Sequence, residues 1–150
     1  MKKENSSMIK KSLLLVALMG VFAAGSSVAQ SQAIGFKAGA NFSNGYVAGN
    51  TLYVAGQQGP DASGKVDGLD ITQQATNAIA AVRKVVEDAG FKMSDIVSVT
   101  VYIASLDDVP KMNDVYRKLV PDPKPARATV QVAGLIGGAK IEISAIAVKR

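Results

Sequence analysis

The period of the hydrophobic pattern changes repeatedly along this chain, and that alternation dictates a mixed fold of strands and helices. Thr51 to Gln57 (T-L-Y-V-A-G-Q) alternates with period two after a Gly49-Asn50 turn signal, which predicts a strand. From Asp70 to Ala89, Ile71, Ala75, Ala78, Val82, Val85 or Val86, and Ala89 recur at helical spacing. Asp70 with Gln73 forms a capping box at the start of that helix, and Gly90 supplies the stop. Ile96 to Ala104 alternates again, with Val97, Val99, Val101 and Ile103 as the face expected against the helix. A second helix is predicted from about Asp107–Pro110 to Val120, ended by Pro121, Pro123 and Pro125. Arg127 to Ala133 and Lys140 to Val148 read as two strands joined by a Gly-rich turn, that is, a β-hairpin. With a leading N-terminal strand, this order predicts an α+β fold: a single β-sheet with two helices on one face.

The first residues do not belong to that pattern. Lys2, Lys3, Lys10 and Lys11 precede an apolar run from Leu13 to Ala24, and Ser27, Val28 and Ala29 follow. This is the layout of a signal peptide, 1–29, with cleavage expected after Ala29 and a second possible cleavage point at Ala33. The run falls short of the ~20 apolar residues that a permanent membrane helix needs, although an uncleaved tether is the alternative. A periplasmic or secreted protein is therefore expected. Residues 30–41 are small and polar and read as a flexible leader, and 42–150 form the one remaining domain.

Removing the signal lowers the basic count from 17 to 13 and the acidic count from 12 to 11, so the net charge falls from +5 to +2. The basic character belongs mostly to the export segment and gives little electrostatic footprint for nucleic acid. Arg83-Lys84 and Arg117-Lys118 are short solvent-side pairs, and Gly59 to Gly68 lacks the spacing of a phosphate loop. The chain has no Cys and no His. Disulfides, thiolate chemistry, Ser-His-Asp and Cys-His triads and most zinc sites are thus excluded. Any chemistry must use carboxylates, Arg, Lys, Tyr, hydroxyls, amides or the backbone.

Alternation within the expected hairpin sorts its residues by face. Val130 and Val132 would join Ile141, Ile143, Ala145 and Ala147 under the helices. The other face would hold Arg127, Thr129, Gln131, Glu142, Ser144, Ile146 and Val148, continued by Thr100, Tyr102, Tyr53, Ala55 and Gln57. A face left in water normally carries many Lys and Glu, so this one reads as an interface. Arg127 and Glu142 then become charges at a largely covered site, where they either serve a ligand or pair structurally.

At these residues the chain resembles the RidA (YjgF) family of reactive-intermediate imine/enamine deaminases, also labelled endoribonuclease L-PSP. The resemblance runs from about Phe42 to Val148. It is carried by F-S-N-G-Y-V-A-G-N-T-L-Y-V-A-G-Q (42–57), the helix ending E-D-A-G, D-I-V-S-V-T-V-Y-I (95–103), M-N-D-V-Y (112–116), P-A-R-A-T-V-Q-V-A (125–133) and K-I-E-I-S-A-I-A-V (140–148). It implies a chorismate-mutase-like fold and a homotrimer with clefts between subunits. It also implies that Arg127 holds a substrate carboxylate and Glu142 positions the hydrolytic water. The implied reaction converts a 2-imino acid, such as 2-iminopropanoate or 2-iminobutanoate, to the 2-oxo acid and ammonia, with no metal or organic cofactor. The implied substrate-binding set is Phe42, Ala55, Gly56, Asn113 and Thr129. Three of these depart from the family pattern: Phe42 stands where Tyr is frequent, Ala55 where Ser is, and Thr129 where Cys is. Two further readings are a trimeric module that binds small carboxylates without turnover and, on the family label alone, an endoribonuclease.

Overall fold

The computed structural model describes residues 31–150, and the expected signal segment lies outside the described residues. The strands are β1 (Ser31–Ile34), β2 (Gly45–Ala48), β3 (Thr51–Gln58), β4 (Ile96–Ile103), β5 (Ala126–Gln131) and β6 (Ile141–Val148). The helices are α1 (Ile71–Asp88) and α2 (Val109–Leu119). All six strands form one mixed sheet, in the order β1-β2-β3-β6-β4-β5. Among the described residues no helix is long and apolar enough to cross a membrane.

Local sequence explains α1 well. The Asp70 side chain accepts from Gln73 N while the Gln73 side chain accepts from Asp70 N, so the two residues satisfy each other's backbone donors. Gly90 follows the helix at a φ of 73°, a left-handed conformation that glycine adopts without strain. Ile71, Ala75, Ala78, Ile79, Val82, Val85 and Val86 are buried, and α1 packs on β3, β6 and α2. From below, Leu52, Val54, Val99, Val101, Ile103, Ile141, Ile143, Ala145 and Ala147 complete the core. The small Ala positions on α1 let it approach the sheet closely. Both helices cover one face, as the sequence predicts.

The strand order departs from the sequence reading at β5. It is not the hairpin partner of β6: it pairs with β4 in parallel, and β4 lies between the two. The stretch from Val132 to Lys140 steps over the end of β4, where Val132 N donates to Ile103 O and Lys140 O accepts from Ala104 N. The helix between β4 and β5 supplies the long crossover that a parallel pair needs.

This pairing turns β5 over relative to the expected face. Val99 registers with Arg127, Val101 with Thr129 and Ile103 with Gln131, so Arg127, Thr129 and Gln131 lie on the helix side. Val130, expected in the core, is instead 43% exposed on the open face.

Two bulges cause smaller departures. A register shift between Val54 and Gln57 moves Gln57 beside buried Ile143 and brings Gln58 opposite Glu142. Another between Ile96 and Ser98 buries Ile96 and leaves Val97 44% exposed, although Val97 was expected in the core. The segment read as a flexible leader also begins with a strand. β1 pairs antiparallel with β2, and of its four residues only Ile34 is buried. A short polar edge strand held mainly by backbone pairing leaves no hydrophobic period to read.

Candidate functional site

Glu142 stands on the open face of β6, opposite Tyr102 on β4 and Gln58 on β3. Gln58 Nε2 donates to Glu142 Oε2 at 3.1 Å and also to Ile136 O at 3.2 Å, tying the carboxylate to the turn before β6. Gly56, in the β3 bulge, makes room for it: a Cβ added there would lie 2.1 Å from Glu142 Oε1. Phe42, Asn44, Gly56, Gln58, Ile136 and Glu142 line a cavity of about 700 Å³. Its apolar walls are open to solvent, with Phe42 66% and Ile136 86% exposed.

Arg127 occupies a different place. It projects from the edge strand β5 toward α2, where its Nη2 donates to Asn113 Oδ1 at 2.8 Å. Its guanidinium carbon sits 4.6 Å from the centroid of the Tyr116 ring. A second cavity, of about 320 Å³, is lined by Asn113, Tyr116, Arg117, Lys124, Pro125 and Arg127. Among the described residues neither Arg127 nor Glu142 takes part in an ion pair.

The same-face placement of Arg127 and Glu142 is therefore corrected. In one chain they lie on opposite faces of the sheet and line separate cavities. The structure brings Phe42 and Gly56 to Glu142, and Asn113 to Arg127. Ala55 sits in the bulge, where its N donates to Asn44 O and its carbonyl accepts from Gln57 Nε2. Thr129 follows Arg127 by two residues on the same side of β5, and its hydroxyl is buried without a hydrogen-bond partner among the described residues.

Three residues at the two cavities escaped the sequence reading: Gln58, Ile136 and Tyr116. Gln58 was legible in principle, because an isolated glycine inside a strand signals a bulge and hence a shift of face. Tyr116 lies on the buried side of α2 with Met112 and Val115, where an aromatic residue reads as core. Its hydroxyl is also buried without a partner among the described residues, and burial raises the phenol's pKa against the opposing effect of the Arg127 charge. Among the described residues, no group of three or more acidic side chains converges to hold a metal.

With this geometry in view, comparison with known proteins gives one answer. The family model described as endoribonuclease L-PSP matches residues 31–149. A 2-iminobutanoate/2-iminopropanoate deaminase of Dermatophagoides farinae is 39% identical over 108 residues, 71% of this chain and 84% of that protein. The solved YjgF gene product of E. coli superposes with a TM-score of 0.70 at 35% identity, covering 82% of this chain and 98% of that one. E. coli TdcF, solved with bound serine, gives a TM-score of 0.71 at 31% identity, covering 79% and 94%. The chain belongs to the RidA/YjgF family, the family that the endoribonuclease L-PSP model describes.

Proposed function

We propose that this protein hydrolyses 2-imino acids to 2-oxo acids and ammonia, in clefts formed where copies of the chain meet in a homotrimer. The observation that carries this reading is the pair of fixed charges that no ion pair neutralises among the described residues: Arg127 held by Asn113 and Tyr116, and Glu142 held by Gln58. The two lie on opposite faces of one chain, so a substrate between them requires Arg127 of one copy to meet Glu142 of the next. The open face suits such packing, with Tyr46, Tyr53 and Val130 exposed and few charges among them. The relative named as a deaminase supports the same reading.

In the proposed reaction the guanidinium donates paired hydrogen bonds to the substrate carboxylate. Glu142 orients a water toward C2 of the imine and accepts its proton as the C–O bond forms. The C=N π bond becomes a C–N single bond, and the nitrogen takes a proton. As the carbinolamine collapses, its hydroxyl proton passes through Glu142 to the nitrogen, the C=O bond forms and the C–N bond breaks, releasing ammonia and leaving the 2-oxo acid. The imine carbon is already electrophilic, so holding the carboxylate and aiming one water provides most of the assistance needed.

The test supplies freshly generated 2-imino acid and follows ammonia. Acceleration over background is expected, with losses of about 100-fold for Glu142→Gln on general-base grounds. Wild-type rates equal to background, or an Arg127→Ala variant as fast as wild type, would refute the assignment.

The serine bound to TdcF favours a second reading, a module that holds small carboxylates without turnover. In that case 2-oxo acids raise the melting temperature while hydrolysis stays at background. We further propose export to the periplasm or beyond, with cleavage after Ala29. That cut leaves β1 whole, whereas a cut at Ala33 divides it. The mass of the mature protein from a fractionated host, matching neither Gln30–Arg150 nor export at all, would refute this.

A further inference from the structure

We infer that Tyr116 and Asn113 form a positioning shelf that aims Arg127, so that the strength of carboxylate binding is set from α2 rather than from β5. The inference rests on the reading of Arg127 as the carboxylate-binding group. An arginine on an edge strand has many rotamers, and ordering it on ligand binding weakens the interaction. Here two residues three apart on α2, and so on one face of it, order the side chain beforehand. Asn113 Oδ1 accepts one N–H at 2.8 Å, and the Tyr116 ring lies 4.6 Å from the guanidinium carbon. Tyr116 is itself buried in the core beside Met112 and Val115, which makes the shelf rigid.

The chemistry of the shelf matters as much as its shape. An amide oxygen uses one donor without cancelling the charge, and a ring face uses none. The remaining donors and the full positive charge are left for a ligand. A carboxylate at the same place would neutralise the guanidinium. The nearest acid on the helix, Asp114, is paired with Arg117 instead. Among the described residues the Tyr116 hydroxyl has no hydrogen-bond partner, so on this side chain the aromatic face does the holding.

Three variants test this, with 2-oxobutanoate affinity measured by calorimetry and imine hydrolysis resolved into KM and kcat. Tyr116→Phe keeps the ring and should bind within about 2-fold of wild type. Tyr116→Leu removes the π face and should raise Kd and KM about 3- to 30-fold, with kcat little changed. Asn113→Asp is isosteric and should raise Kd at least 10-fold by pairing with Arg127, without lowering the melting temperature. A role in folding alone predicts the reverse for Asn113→Asp, a changed melting temperature with unchanged binding. Should Tyr116→Leu not fold, Asn113→Asp still decides. Wild-type affinity in Asn113→Asp, or an equal loss in Tyr116→Phe and Tyr116→Leu, overturns the shelf. If Arg127→Ala abolishes binding while the shelf variants bind normally, only this inference fails. If Arg127→Ala binds normally, the functional reading fails with it.

Discussion

Gly56→Ala separates the contribution of the Glu142 carboxylate from that of the fold. Gly56 has no positive φ, so the backbone accepts alanine. The added methyl would lie 2.1 Å from Glu142 Oε1, 2.6 Å from Cδ and 3.0 Å from Cγ. Ordinary contact between such atoms is about 3.5 Å, so the carboxylate oxygen must move by more than about 1 Å. What it meets is the free end of a side chain, which can swing away, losing the Gln58 hydrogen bond. That loss costs about 1 kcal/mol, a melting shift of roughly 3–5 °C in a domain of this size. A displacement of that size in a group that must aim a water costs about 100-fold in rate. The assay pairs thermal melting with imine hydrolysis, and calorimetric binding of 2-oxobutanoate checks that the cleft remains open. The expected result is a small melting shift, a large fall in kcat and retained ligand affinity. Hydrolysis within about 3-fold of wild type would refute the claim that Glu142 works from its observed position.

Three further outcomes are expected. Gln74 is 1% exposed, donates to Val66 O and Leu69 O and accepts from Lys140 N, so Gln74→Leu should cost about 2–4 kcal/mol by leaving buried groups unpaired. Chemical denaturation would show it, and an unchanged midpoint would contradict it. The raised pKa of Tyr116 implies stability that is fully present below the ordinary phenol value of 10.0 and declines as pH rises through the folded pKa, because the unfolded chain loses its proton first. Alkaline unfolding should therefore begin later in Tyr116→Phe, and coincident alkaline curves would contradict the assignment. A chain beginning at Gly35 lacks β1 and the buried Ile34, and should lose about 1.5–3 kcal/mol relative to one beginning at Gln30. Equal denaturation midpoints would show that β1 contributes nothing.

Both helices, the capping box at Asp70 and Gln73, and the inward face of β6 were legible because each depends on neighbours in sequence. The family motifs were legible too, and they singled out Arg127 and Glu142. Strand partnership was not legible. Period-two alternation says which residues of one strand share a face, but not which strand lies beside it. Within β5, Ala126, Ala128 and Val130 alternate with Arg127, Thr129 and Gln131, so apolarity points to the first set as the core set. Parallel pairing with β4 reversed that assignment, and the bulge at Ala55 and Gly56 exchanged Gln57 for Gln58.

What the sequence determined by itself is therefore the α+β composition, the helix limits and the two charged residues of interest. Only the tertiary structure decided where those two stand: Arg127 on the helix side against Tyr116, and Glu142 on the open face above Gly56. The physical reason is that helix caps and hydrophobic periods are local, whereas the order of strands in a sheet is fixed by contacts between residues far apart in the chain.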